Sequence, residues 1–159
     1  MNESEILNAK ILIVDDAEAN LKLLEDLLAR EGFNQIISTA DSTRAMDLFK
    51  AFEPDLILLD LMMPELDGYA VLEMLSRHIS KDEYLPVLVL TADATIGAKR
   101  KALALGAKDF LTKPFDTIEA MLRVWNLLET RILYRRLKSL NASIKPAVHM
   151  HRAPESTAE

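Results

Sequence analysis

The chain predicts an α/β fold in which a parallel five-stranded sheet carries helices on both faces. Three observations lead there. Residues 10–14, 56–59 and 86–90 are short, almost unbroken apolar runs, the pattern of strands buried on both sides. The segments between them repeat their apolar residues at helical spacing. Each run ends in polar chemistry, namely Asp15-Asp16, Asp60 and Thr91, and open α/β sheets collect ligands at the carboxyl ends of their strands.

In order, Lys-Ile-Leu-Ile-Val at 10–14 is the first strand, and a helix over 17–31 carries Leu21, Leu24, Leu27 and Leu28 until Gly32 closes it. Residues 35–39 form a weaker strand around Ile36 and Ile37. Asp41 or Ser42 can cap the next helix, which bears Ala45, Met46, Leu48, Phe49 and Phe52 and ends before Pro54. The third strand runs into Asp60, and Pro64 prevents a regular continuation. A helix over 68–80 turns Val71, Leu72 and Leu75 inward. The fourth strand, 86–90, leads to Thr91, and an alanine-rich helix over 96–105 stops at Gly106. Asp109-Phe110-Leu111-Thr112 is a short fifth strand before Lys113-Pro114, and from Asp116 the pattern is helical to about Asn141. Five strands alternating with five helices predict right-handed crossovers. The expected arrangement is a flavodoxin-like (βα)5 doubly wound parallel sheet, order 2-1-3-4-5, with an extended C-terminal helix. The divisions read as a domain over 8–127, a helical extension over 128–141 and a disordered tail over 142–159 containing Pro146 and Pro154.

Composition narrows the function. At 159 residues, with half of them hydrophobic and 28% charged, the chain is one soluble domain plus an appendage. A net charge of −6 disfavours direct nucleic-acid binding or an anionic membrane surface. The absence of cysteine removes disulfides, thiolate metal sites and thiol catalysis. The acidic N-terminus lacks a basic leader and no stretch reaches the roughly 20 apolar residues of a membrane span, so a cytoplasmic location is expected.

The strand order brings Asp15, Asp16 and Asp60 to one crevice, with Thr91 and Lys113 beside it. Three carboxylates together raise at least one pKa unless a cation compensates. Mg²⁺ suits such a site, since it uses few carboxylates and keeps waters for a phosphate. A carboxylate can also act as a nucleophile and become an aspartyl phosphate. Lys113 could then pair with a phosphoryl oxygen, and the Thr91 hydroxyl with nearby N–H groups could donate to another.

Here the chain resembles the receiver domains of two-component response regulators, over about residues 8–125. The matching residues are Ile11-Leu12-Ile13-Val14-Asp15-Asp16, Leu58-Leu59-Asp60-Leu61-Met62-Met63-Pro64, Asp67-Gly68, Thr91-Ala92, Gly106-Ala107 and Phe110-Leu111-Thr112-Lys113-Pro114-Phe115. The resemblance implies that Asp60 accepts a phosphoryl group from a phosphohistidine of a sensor histidine kinase or phosphotransfer protein, catalysing only its own phosphorylation and dephosphorylation. It implies Mg²⁺ held by Asp16 directly, by Asp15 mainly through water, by Asp60, and by the Met62 carbonyl. Thr91 and Lys113 would contact the phosphoryl oxygens, Phe110 would be the aromatic switch partner of Thr91, and Lys113-Pro114 would be cis. Glu65 departs from the small residue common in relatives. Bulky Met62 is expected to shield the acyl phosphate and slow its hydrolysis. A haloacid-dehalogenase-like phosphatase would also use Asp and Mg²⁺, yet it needs a second Asp where this chain has Met62.

The last helix is too long for the domain alone, since 116–141 would extend about 39 Å. Ile118, Met121, Leu122, Trp125 and Leu128 can face the sheet, whereas Ile132, Leu133, Leu137 and Leu140 are left without domain surface to cover. A homodimer through a parallel coiled coil would bury them; the alternative is a frayed solvated helix. Arg131, Arg135, Arg136 and Lys138 read as solvated flanks. Residues 123–131 resemble the linker that joins receivers to cyclic-di-GMP-processing domains. His149 and His151 lack a third ligand and read as unstructured. The functional alternative is a dimerisation scaffold that works without phosphate.

Overall fold

A computed structural model describes residues 3–157, with side chains described through residue 143. Five strands, β1 (Lys10–Val14), β2 (Gln35–Thr39), β3 (Leu56–Asp60), β4 (Val87–Thr91) and β5 (Asp109–Thr112), form one parallel sheet in the order β2-β1-β3-β4-β5. This is the flavodoxin-like arrangement the alternation predicts. Every residue of β3 and β4 is buried, because both strands lie inside the sheet and helices cover both faces.

Alternation along the strands divides the core. On one face Ile11, Ile13, Leu56, Leu58, Leu88 and Leu90 pack against α2 (Glu18–Glu31) and the C-terminal helix. On the other, Leu12, Val14, Ile57, Leu59, Val87 and Val89 meet α3 (Ala45–Phe52), α4 (Gly68–His78) and α5 (Ile96–Ala104). The helix ends follow local chemistry. Asp67 accepts from the Ala70 N–H at the start of α4, and Thr95 from the Ala98 N–H at the start of α5. Gly32 closes α2 at φ +106°. Asp41 caps a 3₁₀ turn over Ser42–Arg44 that leads into α3, accepting from the Thr43 N–H.

Two features differ from the sequence reading. A short helix, α1 (Glu3–Leu7), precedes β1 and buries Ile6 in the core beside α2 and the last helix. Five residues are too few to show a helical period, so the pattern could not reveal it. The last helix, α6, spans Thr117–Thr157, and it remains helical past Asn141 where the pattern had ended it. The remainder of the tail, including His149 and His151, lies outside the residues whose side chains are described. Lys113-Pro114 is cis. Among the described residues, no helix is long and apolar enough to cross a membrane.

Candidate functional site

Register builds the site. Val14 pairs with Leu59, so Asp15 and Asp60 leave neighbouring strands at the same level. Asp60 pairs with Leu90, and Thr91 with Thr112, which brings Thr91 and Lys113 to the same edge. The Lys113 N–H donates to the Thr91 carbonyl at 2.7 Å. Of the residues selected from sequence, Asp15, Asp16, Asp60, Thr91 and Lys113 therefore converge at one end of the sheet.

The three carboxylates each offer an oxygen within 4.8 Å of the others. Asp15 and Asp60 are buried, Asp60 to 4% exposure, while Asp16 is exposed. Lys113 places Nζ 2.7 Å from Asp15 Oδ2 and 3.6 Å from Asp60 Oδ2. The turn after β3 folds back so that the Met62 N–H donates to Asp60 Oδ1 at 3.1 Å, and Ala17 N–H does the same for Asp15 Oδ1 at 3.0 Å. The Asp60 carboxyl is pushed up to about 6, first by burial and further by the Asp15 and Asp16 carboxyls; the Met62 N–H and the Lys113 ammonium oppose the rise. One lysine does not offset three acids. An oxygen-only donor set with one exposed member and uncompensated negative charge fits a hard divalent cation.

Around this centre, buried Thr91 accepts the Asp93 N–H at its hydroxyl, 3.2 Å. Phe110 lies in the core beneath, with Lys99 Nζ 5.7 Å from its ring centroid. Met62 stands on the rim, 62% exposed. The sequence reading quoted Gly68 only as part of a motif, yet it has a specific task. A Cβ there would lie 2.3 Å from the Asp60 carbonyl oxygen and 2.4 Å from Leu61 Cα, so only glycine lets the start of α4 press against the turn after β3. The Gly68 N–H donates to the Leu61 carbonyl at 3.0 Å, and an Asp-Gly pair opening a helix was the available signal.

Of the four basic residues of α6, Arg131 departs from the expected solvated flank, being buried and paired with Asp55. Arg135, Arg136 and Lys138 are exposed as expected, and they pair with Asp55, Glu5 and Asp82 in turn. Ile132 is also not left without domain surface, since it is half-buried against the core. Leu133, Leu137 and Leu140 are exposed as expected, but so are Ile118 and Leu122, which the pattern had turned toward the sheet; Ala120, Val124 and Leu127 fill that face beside Leu128.

Residues 11–124 match the family described as the response regulator receiver domain. Response regulator PleD of Caulobacter vibrioides is 36% identical over 137 residues, covering 86% of this chain and 30% of that protein. The alkaline phosphatase synthesis transcriptional regulatory protein PhoP of Bacillus subtilis is 39% identical over 122 residues, 77% of this chain and 49% of that one. The chain thus spans half or less of the length of these relatives. Among solved structures, the receiver domain of the Francisella response regulator 1452 superposes with a TM-score of 0.70 at 30% identity, over 77% of this chain and 98% of that one. With its sheet order and its strand-end residues in agreement, the chain belongs to the response regulator receiver domain family of two-component systems.

Proposed function

We propose that this receiver takes a phosphoryl group onto Asp60 from the phosphohistidine of a sensor histidine kinase or phosphotransfer protein, with Mg²⁺ held by Asp15, Asp16, Asp60 and the Met62 carbonyl. The observation that carries the reading is a buried Asp60 at the end of β3, with two further carboxylates within 4.8 Å and Lys113 Nζ at 3.6 Å. A carboxylate oxygen of Asp60 attacks phosphorus; the O–P bond forms as the P–N bond breaks, and its electron pair returns to the departing imidazole. The Met62 N–H orients the acceptor carboxylate by holding Oδ1, leaving Oδ2 on the Lys113 side. Lys113 follows charge from Asp15 toward the arriving phosphoryl oxygens, and the Thr91 hydroxyl gives up its Asp93 N–H bond to reach another. Bound in the crevice, Mg²⁺ supplies charge neutralisation for the acids and the phosphoryl group. Beyond this reaction on itself the chain is not an enzyme.

The signal would pass through Thr91 and Phe110 and through association of two copies by the exposed leucines of α6, in the cytoplasm. Among the described residues, pairing of the α6 cations with carboxylates supports a role without direct nucleic-acid contact by this region. Hydrolysis of the acyl phosphate is slow where Met62 can fold over it, and Met62→Asn shortens the lifetime of the adduct; equal decay in both proteins, followed by intact mass, contradicts the shielding.

The test is intact-protein mass after incubation with acetyl phosphate and Mg²⁺, beside Asp60→Asn. One phosphoryl adduct in the wild type alone is expected. No adduct with any donor, together with unchanged association, would leave the phosphate-independent scaffold as the function.

A further inference from the structure

At the pole of the sheet opposite the acidic crevice, α6 runs past the strands' starting ends. Arg131, only 7% exposed, donates Nε to Asp55 Oδ1 at 2.9 Å and Nη1 to the Tyr84 carbonyl at 2.8 Å. Arg135 Nη1 reaches the same Asp55 oxygen at 3.0 Å, and Lys138 Nζ lies 3.3 Å from Asp82 Oδ2. Asp55 immediately precedes β3 and is itself fixed, since its Oδ2 accepts the Lys10 N–H at 2.9 Å and its own N–H donates to the Lys10 carbonyl at 2.7 Å. The foot of β1, the foot of β3 and the loop before β4 are thereby joined to one face of the helix. Between the two arginines' anchor and Lys138, the Tyr84 and Tyr134 rings sit 6.0 Å apart.

The three cations occupy positions i, i+4 and i+7 of one helix face. Leu133, Leu137 and Leu140 occupy the same spacing two residues on, which places them about 200° around the helix, on the side away from the domain. Buried, multiply bonded Arg–carboxylate pairs hold geometry strongly, because a displaced partner leaves a desolvated charge.

We propose that Asp55, Arg131, Arg135 and Lys138 form a latch that fixes the direction and rotation of the α6 arm, with Asp55 as its positioning residue, so that the leucine stripe faces outward for a second copy of this chain. A free extension would rotate and bend independently of the sheet; a latched one moves with it. Cancelling the arm's positive charge within the chain also removes the repulsion that two parallel arms would otherwise feel. The association half of this inference rests on the homodimer proposed above, whereas the latch itself does not.

The chain has no cysteine, so Ala142→Cys gives a unique site for a fluorophore near the end of the latched segment. In the full chain, steady-state anisotropy of this label is measured alone and with Arg135→Glu plus Lys138→Glu. Both side chains are more than half exposed, so folding is kept. The double reversal lowers the anisotropy, and adding Asp82→Lys, which restores one opposite-charge pair, recovers part of the loss. Unchanged anisotropy in the double variant, or no recovery in the triple, overturns the latch. Acetyl phosphate separates the two proposals. A wild-type adduct that the reversed variant also acquires, without the accompanying size change, supports the latch as what presents the arm; a size change retained in the reversed variant overturns that role. A missing wild-type adduct refutes the phosphoacceptor reading and leaves the anisotropy result standing.

Discussion

The proposed reaction asks that Asp60 be buried, to exclude water from a phosphoryl group, and ionised, to attack phosphorus, and these demands conflict. Burial and its acidic neighbours push the carboxyl up to about 6 from the 3.8 of an unperturbed Asp. The folded protein therefore keeps a proton that the unfolded chain releases at lower pH, and by linkage stability falls as pH rises through that window. In chelator, Asp60→Asn should melt above the wild type by a margin that grows from pH 4 to about pH 7. Mg²⁺ should shrink the margin by stabilising the wild type. A margin independent of both pH and Mg²⁺, measured by thermal melts, would contradict the crevice electrostatics. Gly68 acts at the same turn through space alone. Gly68→Ala forces a backbone shift against the Asp60 carbonyl, because the atoms it meets are main chain and cannot rotate away. Phosphoryl uptake should slow by at least tenfold, equivalent to about 1.4 kcal/mol of misplacement, with wild-type uptake in the variant as the contrary outcome.

Among the elements, α6 does two jobs along its length. Its first turns bury Ala120, Val124, Leu127 and Leu128 against the sheet, and packing holds them there. From Arg131 onward ionic attachment joins the apolar packing of Ile132, and it begins at a single buried guanidinium. Arg131→Ala should destabilise the fold by up to about 3 kcal/mol, near the lower end for breaking a buried pair, because Asp55 retains Arg135 and the Lys10 N–H. Chemical denaturation reads this directly, and a change under about 0.5 kcal/mol would place the pair with ordinary surface bridges. α1 shows the same economy of length: Ile6 contributes a buried side chain from a helix too short to stand alone.

For the molecule as a whole, the acidic crevice and the arm sit at opposite ends of the sheet, with Asp55 just before β3 and Asp60 at its end. Leu133→Glu with Leu137→Glu should abolish any dimer at micromolar concentration while leaving the adduct on Asp60 intact. Both positions are exposed in the single chain, so the loss belongs to association and not to folding. Sedimentation before and after acetyl phosphate measures it, and a dimer that survives would locate the interface elsewhere.

The strand-end acids and the positions of Thr91 and Lys113 were legible in the chain because each buried run announces its own end; the order of strands followed from the arrangement that five alternating βα units most often take. Asp15, Asp16 and Asp60 could be grouped before any coordinates for that reason. What lay beyond pattern was contact between segments distant in sequence. Nothing near Asp55 signals that Arg131, 76 positions later, will bond to it, and Gly68 looks like any helix-opening glycine until the Asp60 carbonyl is seen against it. Ile132 read as unpartnered because periodicity reports a face and not what covers it. The sequence by itself determined the fold and the chemistry at its strand ends; only the tertiary structure decided how closely the acceptor turn is packed and where the arm is held, since both depend on surfaces that exist only once the sheet has closed around its core.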